Sequence, residues 1–137
     1  NDRNTSSTWA STGSGFYYAA YTRLSADTPT PTFECNTNDV VTNNFGLITA
    51  DEIVLAGGKY NIDNSAFYLN NNIFYWAGSP FDFYSGGYAY VFGLLPVNGL
   101  DANCVDTLAG AARGVVSLSS ETKLLGSGTY NDVYVVS

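Results

Sequence analysis

The chain predicts a strand-rich α+β domain: a small twisted antiparallel sheet, one short docked helix over about 49–56, and long irregular loops. Three observations carry this expectation. Its 137 residues include 11 Tyr, 8 Phe and 2 Trp, with 45% hydrophobic but only 12% charged residues, a balance typical of sheets and sufficient for a substantial core. Short β-branched and aromatic runs alternate with Asn, Ser, Thr and Gly clusters, the punctuation of strands and turns. One stretch, L-I-T-A-D-E-I-V-L-A-G-G at 47–58, obeys helix rules instead. Thr49 stands at the N-cap, Glu52 at the capping-box spacing, Asp51 and Glu52 suit the positive end of the helix dipole, and Gly57 with Gly58 forms the stop.

Taken in order, 1–14 is an irregular Ser/Thr/Asn-rich lead-in with Trp9 as its one large apolar anchor, and all of 1–137 is expected to form a single domain. Residues 15–21, G-F-Y-Y-A-A-Y, predict a first strand. D-T-P-T-P-T at 27–32 is extended loop, because each proline lacks a ladder donor and restricts the residue before it. A short strand is allowed within 33–41, and 42–44 turns toward the helix. Beyond the helix, 66–69 and 73–77 predict two aromatic strands around the Asn70-Asn71-Asn72 turn, and 79–87 reads as loop. The clearest central strand is 88–95, ended by Pro96. Loop follows over 97–107, then strands at 113–118 and 132–136, the last closing the sheet. Trp76, Phe74, Tyr90 and Phe92 are expected in the core or at a subunit interface.

Composition also bounds function. Five basic against twelve acidic residues give a net charge of −7, which opposes binding to nucleic acid and to anionic membrane surfaces. No apolar run is long enough to span a bilayer. Histidine is absent, which removes Ser-His and Cys-His nucleophilic arrangements. Carboxylate pairs, Asp51 with Glu52 or Asp82 with Asp101, leave a hydrolase formally open; capping explains the first pair, and solvated loop positions the second. Gly126-Ser127-Gly128 and Gly86-Gly87 precede no helix and read as turns, not phosphate loops. No cofactor or metal is expected, save a structural calcium ion at the oxygen-rich 61–64 or 101–103 loops, neither of which has EF-hand spacing. Asn4-Thr5-Ser6 matches a glycosylation acceptor at Asn4.

Cys35 and Cys104 are the only cysteines. A disulfide between them would close a loop of about 70 residues and contribute roughly 4 kcal/mol, implying an oxidising compartment; pairing of one with an upstream cysteine is the alternative. The sequence lacks Met and starts at Asn1, so it is expected to be the C-terminal part of a longer precursor.

The segments at 15–24, 47–58, F-Y-W-A-G-S-P at 74–80, A-Y-V-F at 89–92, R-G-V-V-S-L at 113–118 and G-S-G-T-Y-N-D-V-Y-V-V at 126–136 together resemble a bacterial surface-protein family. Its members carry LITADE, YYWTMSP, VRPVINL and a terminal GSGT..PYVV, many with a pilin-like N-terminal helix. Ala77-Gly78 and Arg113-Gly114-Val115 depart from that pattern. More remotely, the order of helix, Y-W-x-x-S strand and closing strand is similar to the C-type-lectin-like fold of formylglycine-generating enzymes, whose catalytic cysteine pair is not apparent here.

The resemblance implies a noncatalytic, extracellular, cell-surface domain for adhesion or surface assembly. It would be the globular part of a pilin-like or adhesin-like protein, or alternatively a secreted lectin-like glycan- or protein-binding module. Its partner would be another copy of itself or a surface glycan or protein. The candidate contact residues are Tyr68, Phe81, Asp82, Phe83 and Tyr84, because rings in a turn region are costly to expose without use; the competing reading is that these loop aromatics fold back onto their own domain.

Overall fold

A computed structural model of the chain describes residues 16–34, 45–83, 87–106, 109–129 and 131–137. It is α+β and strand-rich, with two short helices and open antiparallel and mixed sheets. The elements used below are β1 (Phe16–Tyr17), α1 (Ala19–Leu24), β2 (Gly46–Leu47), α2 (Ala50–Leu55), β3 (Tyr75–Phe83), β4 (Ala89–Leu95), β5 (Gly99–Cys104), β6 (Ala111–Ala112), β7 (Gly114–Val115), β8 (Leu124–Leu125) and β9 (Val135–Val136).

The principal sheet has the order β1-β3-β4-β5, all antiparallel, with β6 added parallel to the start of β3. β4 lies at its centre, where the dense β-branched and aromatic run places it. β3 extends through Phe83, although 79–87 reads as loop from the sequence. Gly78 and Pro80 obscure it, and the ladder tolerates Pro80 because it lies between two register irregularities, where a missing donor does little harm. β5 replaces the expected 97–107 loop. Its Gly-Leu-Asp-Ala-Asn-Cys sequence has poor strand propensity, and a fully registered ladder from Tyr90↔Cys104 to Leu95↔Gly99 holds it. Gly99 makes the return possible. Its φ is +66°, and the Lys59 and Ile62 carbonyls crowd the place of a Cβ.

Three other expectations are corrected. The first strand stops at Tyr17, and α1 begins at Ala19, where two alanines favour helix and Ala20 and Leu24, one turn apart, are buried. Residues 66–69 form turns instead of a hairpin arm. There Phe67 and Asn70 donate backbone bonds to Asn64 and Phe67, and the Asp63, Asn70 and Asn71 side chains cap following amides, local bonding that competes with a ladder. Finally, β9 does not close the main sheet. It pairs with β8 in a separate two-stranded ribbon, and β7 pairs with β2 in another. The allowance for a strand within 33–41 falls largely outside the described residues, as does the 1–14 lead-in.

α2 forms where the local rules place it. Thr49 accepts from the Glu52 amide while Glu52 Oε2 accepts from the Thr49 amide at 2.7 Å. At the other end Gly58 N–H reaches Ile53 O and Gly57 N–H reaches Val54 O, a Schellman closure with Gly57 at φ +100°. The core fills the space between this helix, α1 and one sheet face: Leu24, Ile48, Ile53, Phe67, Tyr75, Phe81, Phe92, Leu94 and Leu100. Phe92 is 0% exposed; Tyr60 and Phe81 meet it edge-to-face and stack on each other, and Tyr21 packs edge-to-face on both of them. Tyr90 packs partly buried against this core. Phe74 and Trp76 instead meet edge-to-face, 4.5 Å apart, over the side-chain gaps at Gly93 and Gly110.

Candidate functional site

Two long-range contacts fix the start of α2 to β3. The Ala50 amide, an orphan donor of the first helical turn, bonds buried Ser79 Oγ at 3.0 Å, and Gly78 N–H reaches Ile48 O at 2.8 Å. Asp51 then does more than complement the helix dipole. Arg23 Nη2 donates to both its oxygens at 3.1 and 3.0 Å, and the Thr32 amide donates to Oδ1 at 2.9 Å. One buried carboxylate thus ties α1, α2 and the 27–34 segment together. Sequence reading missed this role because its partners lie 28 and 19 residues away.

An open pocket of about 250 Å³ lies over that clamp, lined by Tyr18, Arg23, Phe33, Glu34, Asp51 and Glu52 among others. Thr32 is pinned by Asp51, and its Oγ1 accepts the Glu34 amide at 3.0 Å, so the turn holds the residues at the mouth. Phe33 is 74% exposed there.

A second group lies at the far end of the sheet. The irregularity between Pro80 and Asp82 leaves both Phe81 and Asp82 buried, since an extra residue resets the alternation of faces. Register then aligns Asp82 with Tyr90 and Tyr90 with Cys104. Asp82 is 9% exposed, and among the described residues its Oδ1 has no hydrogen-bond partner. Burial pushes its carboxyl above the ordinary value. Tyr90 is pushed up by burial, then by negative charge at Cys104, Asp82 and Asp106 and by Tyr88. The Cys104 thiol donates to Asp106 Oδ1 at 2.7 Å, and that bond, followed by burial, raises its pKa. Each of the three groups therefore holds its proton to a higher pH than it would in open solvent.

The expected contact residues do not form one surface. Phe81 is a core ring and Asp82 is buried, while Phe83 is half-buried on β3. Tyr68 is 74% exposed but packs against Phe67 at 5.2 Å and lies near Tyr75, at the opposite end of β3, a strand about 25 Å long. Tyr84 lies outside the described residues. So do Asn4 and Cys35, and with Cys35 the expected disulfide to Cys104. The Asp51–Glu52 pair is occupied by the clamp and the cap. Asp101 alternates with Leu100 and Ala102 along β5 and so faces away from the Asp82 row; its Oδ1 accepts the Ala102 amide. Among the described residues no group of three or more His, Cys, Asp or Glu side chains could hold a metal ion, and no helix is long and apolar enough to cross a membrane.

The C-terminal ribbon contrasts with the core. Leu124, Leu125, Val133, Tyr134, Val135 and Val136 are all 45–61% exposed. Its turn is well built: Ser127 and Gly128 amides reach Asp132 O, Ser127 N–H also reaches Asp132 Oδ2 at 2.8 Å, and Thr129 O accepts from Asp132. The ribbon is ordered by its own backbone while its apolar side chains remain uncovered.

Comparison with protein-family models, with curated proteins and with solved structures finds no match to this chain.

Proposed function

We propose that this is a noncatalytic extracellular domain for surface assembly, the globular part of a pilin-like or adhesin-like surface protein, whose copies meet through the C-terminal ribbon. The exposure of Leu124, Leu125 and 133–136 carries this reading. A two-stranded ribbon is marginal alone, and clustered apolar side chains on a soluble surface mark contacts. A second copy suits it because the ribbon is almost uncharged: within 124–136 only Asp132 carries charge, so copies of a chain bearing −7 can approach there with little repulsion. Among the described residues β9 pairs only with β8, so its other edge can add to an identical edge. The pilin-like upstream segment implied by the resemblance to the LITADE-bearing family supports assembly, whereas the remote likeness to the C-type-lectin-like fold supports a binding module instead.

Electron microscopy of native material tests it: ordered fibres or discrete oligomers are expected, and a monodisperse monomer at all concentrations overturns it. The pocket below Phe33 favours a second reading, a secreted lectin-like binding module. That reading expects a monomer that retains a glycan or protein ligand.

A further inference from the structure

We infer that the pocket between α1, α2 and β3 binds a primary ammonium group on a slender alkyl stem, the chemistry of a lysine side chain. Charge gives the sign of the ligand: one guanidinium, Arg23, faces three carboxylates, Glu34, Asp51 and Glu52. The guanidinium is already held in the bidentate bond with Asp51, so an anion would meet excess negative charge with no second cation among the described lining residues. The acceptors point to N–H donors. Asp51 is engaged by Arg23 and Thr32, and Glu52 Oε2 is taken by the Thr49 amide and hydroxyl, whereas the Glu34 carboxylate accepts no hydrogen bond among the described residues. A primary ammonium brings three donors; a quaternary one brings none.

The aromatic side chains supply the rest. Tyr18 lines the wall, and Phe33 stands at the mouth with most of its ring in solvent, a position from which a ring face attracts a cation and covers its alkyl stem. The turn that fixes Phe33 and Glu34 is anchored through Thr32 to the Arg23–Asp51 clamp. The site is therefore held in place before a ligand arrives. A volume of about 250 Å³ accepts a butylammonium-sized group and is smaller than the pockets that enclose drug-sized ligands.

This site is separate from the ribbon, and its test uses the Val135→Glu protein so that failure of self-association and failure of amine binding stay distinguishable. The measurement is an amide NMR titration with n-butylammonium chloride, with butanol as the neutral isostere, and with a Gly-Lys-Gly peptide. Saturable shifts at 32–34 and 49–52 with both amines, absent with butanol and weakened by added salt, are expected. Tighter binding of the peptide identifies a protein lysine as the source; equal binding identifies a free amine. Glu34→Gln and Phe33→Ala, both at exposed positions, should each weaken binding about two- to fivefold while leaving the circular dichroism unchanged. No saturable shift, equal shifts with butanol, or unaltered affinity in both folded variants overturns the inference.

Discussion

The helical side of the molecule and the C-terminal ribbon are built from similar apolar residues but use them in opposite ways. Around α1, α2 and β3 the inward-facing apolar side chains Leu24, Ile53, Tyr75 and Phe81 are buried, and three polar ones are committed: Ser79 to a helix amide, Asp51 to Arg23 and Thr32, Glu52 to its cap. In the ribbon the two strands and their turn are hydrogen-bonded to each other, but the apolar side chains are not covered. The first region is finished within one chain. The second is organised locally and, on the proposed reading, finished by another copy, so substitutions in the two regions should report on different properties.

The largest stability effect is expected at Phe92→Ala, which removes a fully buried ring between Phe81 and Tyr60; about 3–5 kcal/mol should be lost in urea denaturation. Asp51→Ala comes next. It strands a partly buried guanidinium and the Thr32 amide, and because Arg23 keeps some solvent, a loss of about 2 kcal/mol is expected, below the full value for a buried pair. Thr49→Ala breaks the capping box and should lower stability by about 1 kcal/mol.

Asp82 gives a pH signature. Its carboxyl is raised above the ordinary 3.8 by burial, so the folded state holds its proton more tightly than the unfolded chain does. The associated stability is fully present below that ordinary value and is lost as pH rises through the higher folded value. Asp82→Asn should flatten this falling limb in urea midpoints taken between pH 4 and pH 7; an unchanged slope would show that the group does not cause it. The smallest effect belongs to the ribbon. Val135→Glu alters an exposed side chain, and its change in monomer stability should stay within about 0.5 kcal/mol.

The same contrast separates what sequence could reveal from what it could not. α2 is legible because its start, body and stop lie within twelve residues, from Leu47 to Gly58, and every determinant is local. β4 is legible because its composition leaves little alternative to a strand. β5 is hidden by Asp101 and Asn103, which have low strand propensity and are held by pairing; the Asn98-Gly99 dipeptide between Leu95 and Leu100 was the available hairpin signal. α1 is hidden by an aromatic run that continues from Phe16 into Tyr21, where only Ala19-Ala20 and the Ala20–Leu24 spacing speak for helix.

At the candidate sites the limits are sharper. Phe81 and Asp82 read as loop residues, either forming a contact surface or folding back onto the domain; a register irregularity turns both inward, and a single-residue shift of this kind has no local sequence mark. The Arg23–Asp51–Thr32 clamp joins segments that are remote along the chain. Asp51 was visible as a first-turn acid, yet its partners were not.

Sedimentation equilibrium of the wild-type chain beside Val135→Glu is the most direct test of ribbon-mediated assembly. Concentration-dependent association of the wild type, abolished in a variant with an unchanged urea midpoint, is the predicted result. A wild type that stays monomeric across the concentration range, or a folded variant that associates as strongly, would contradict it.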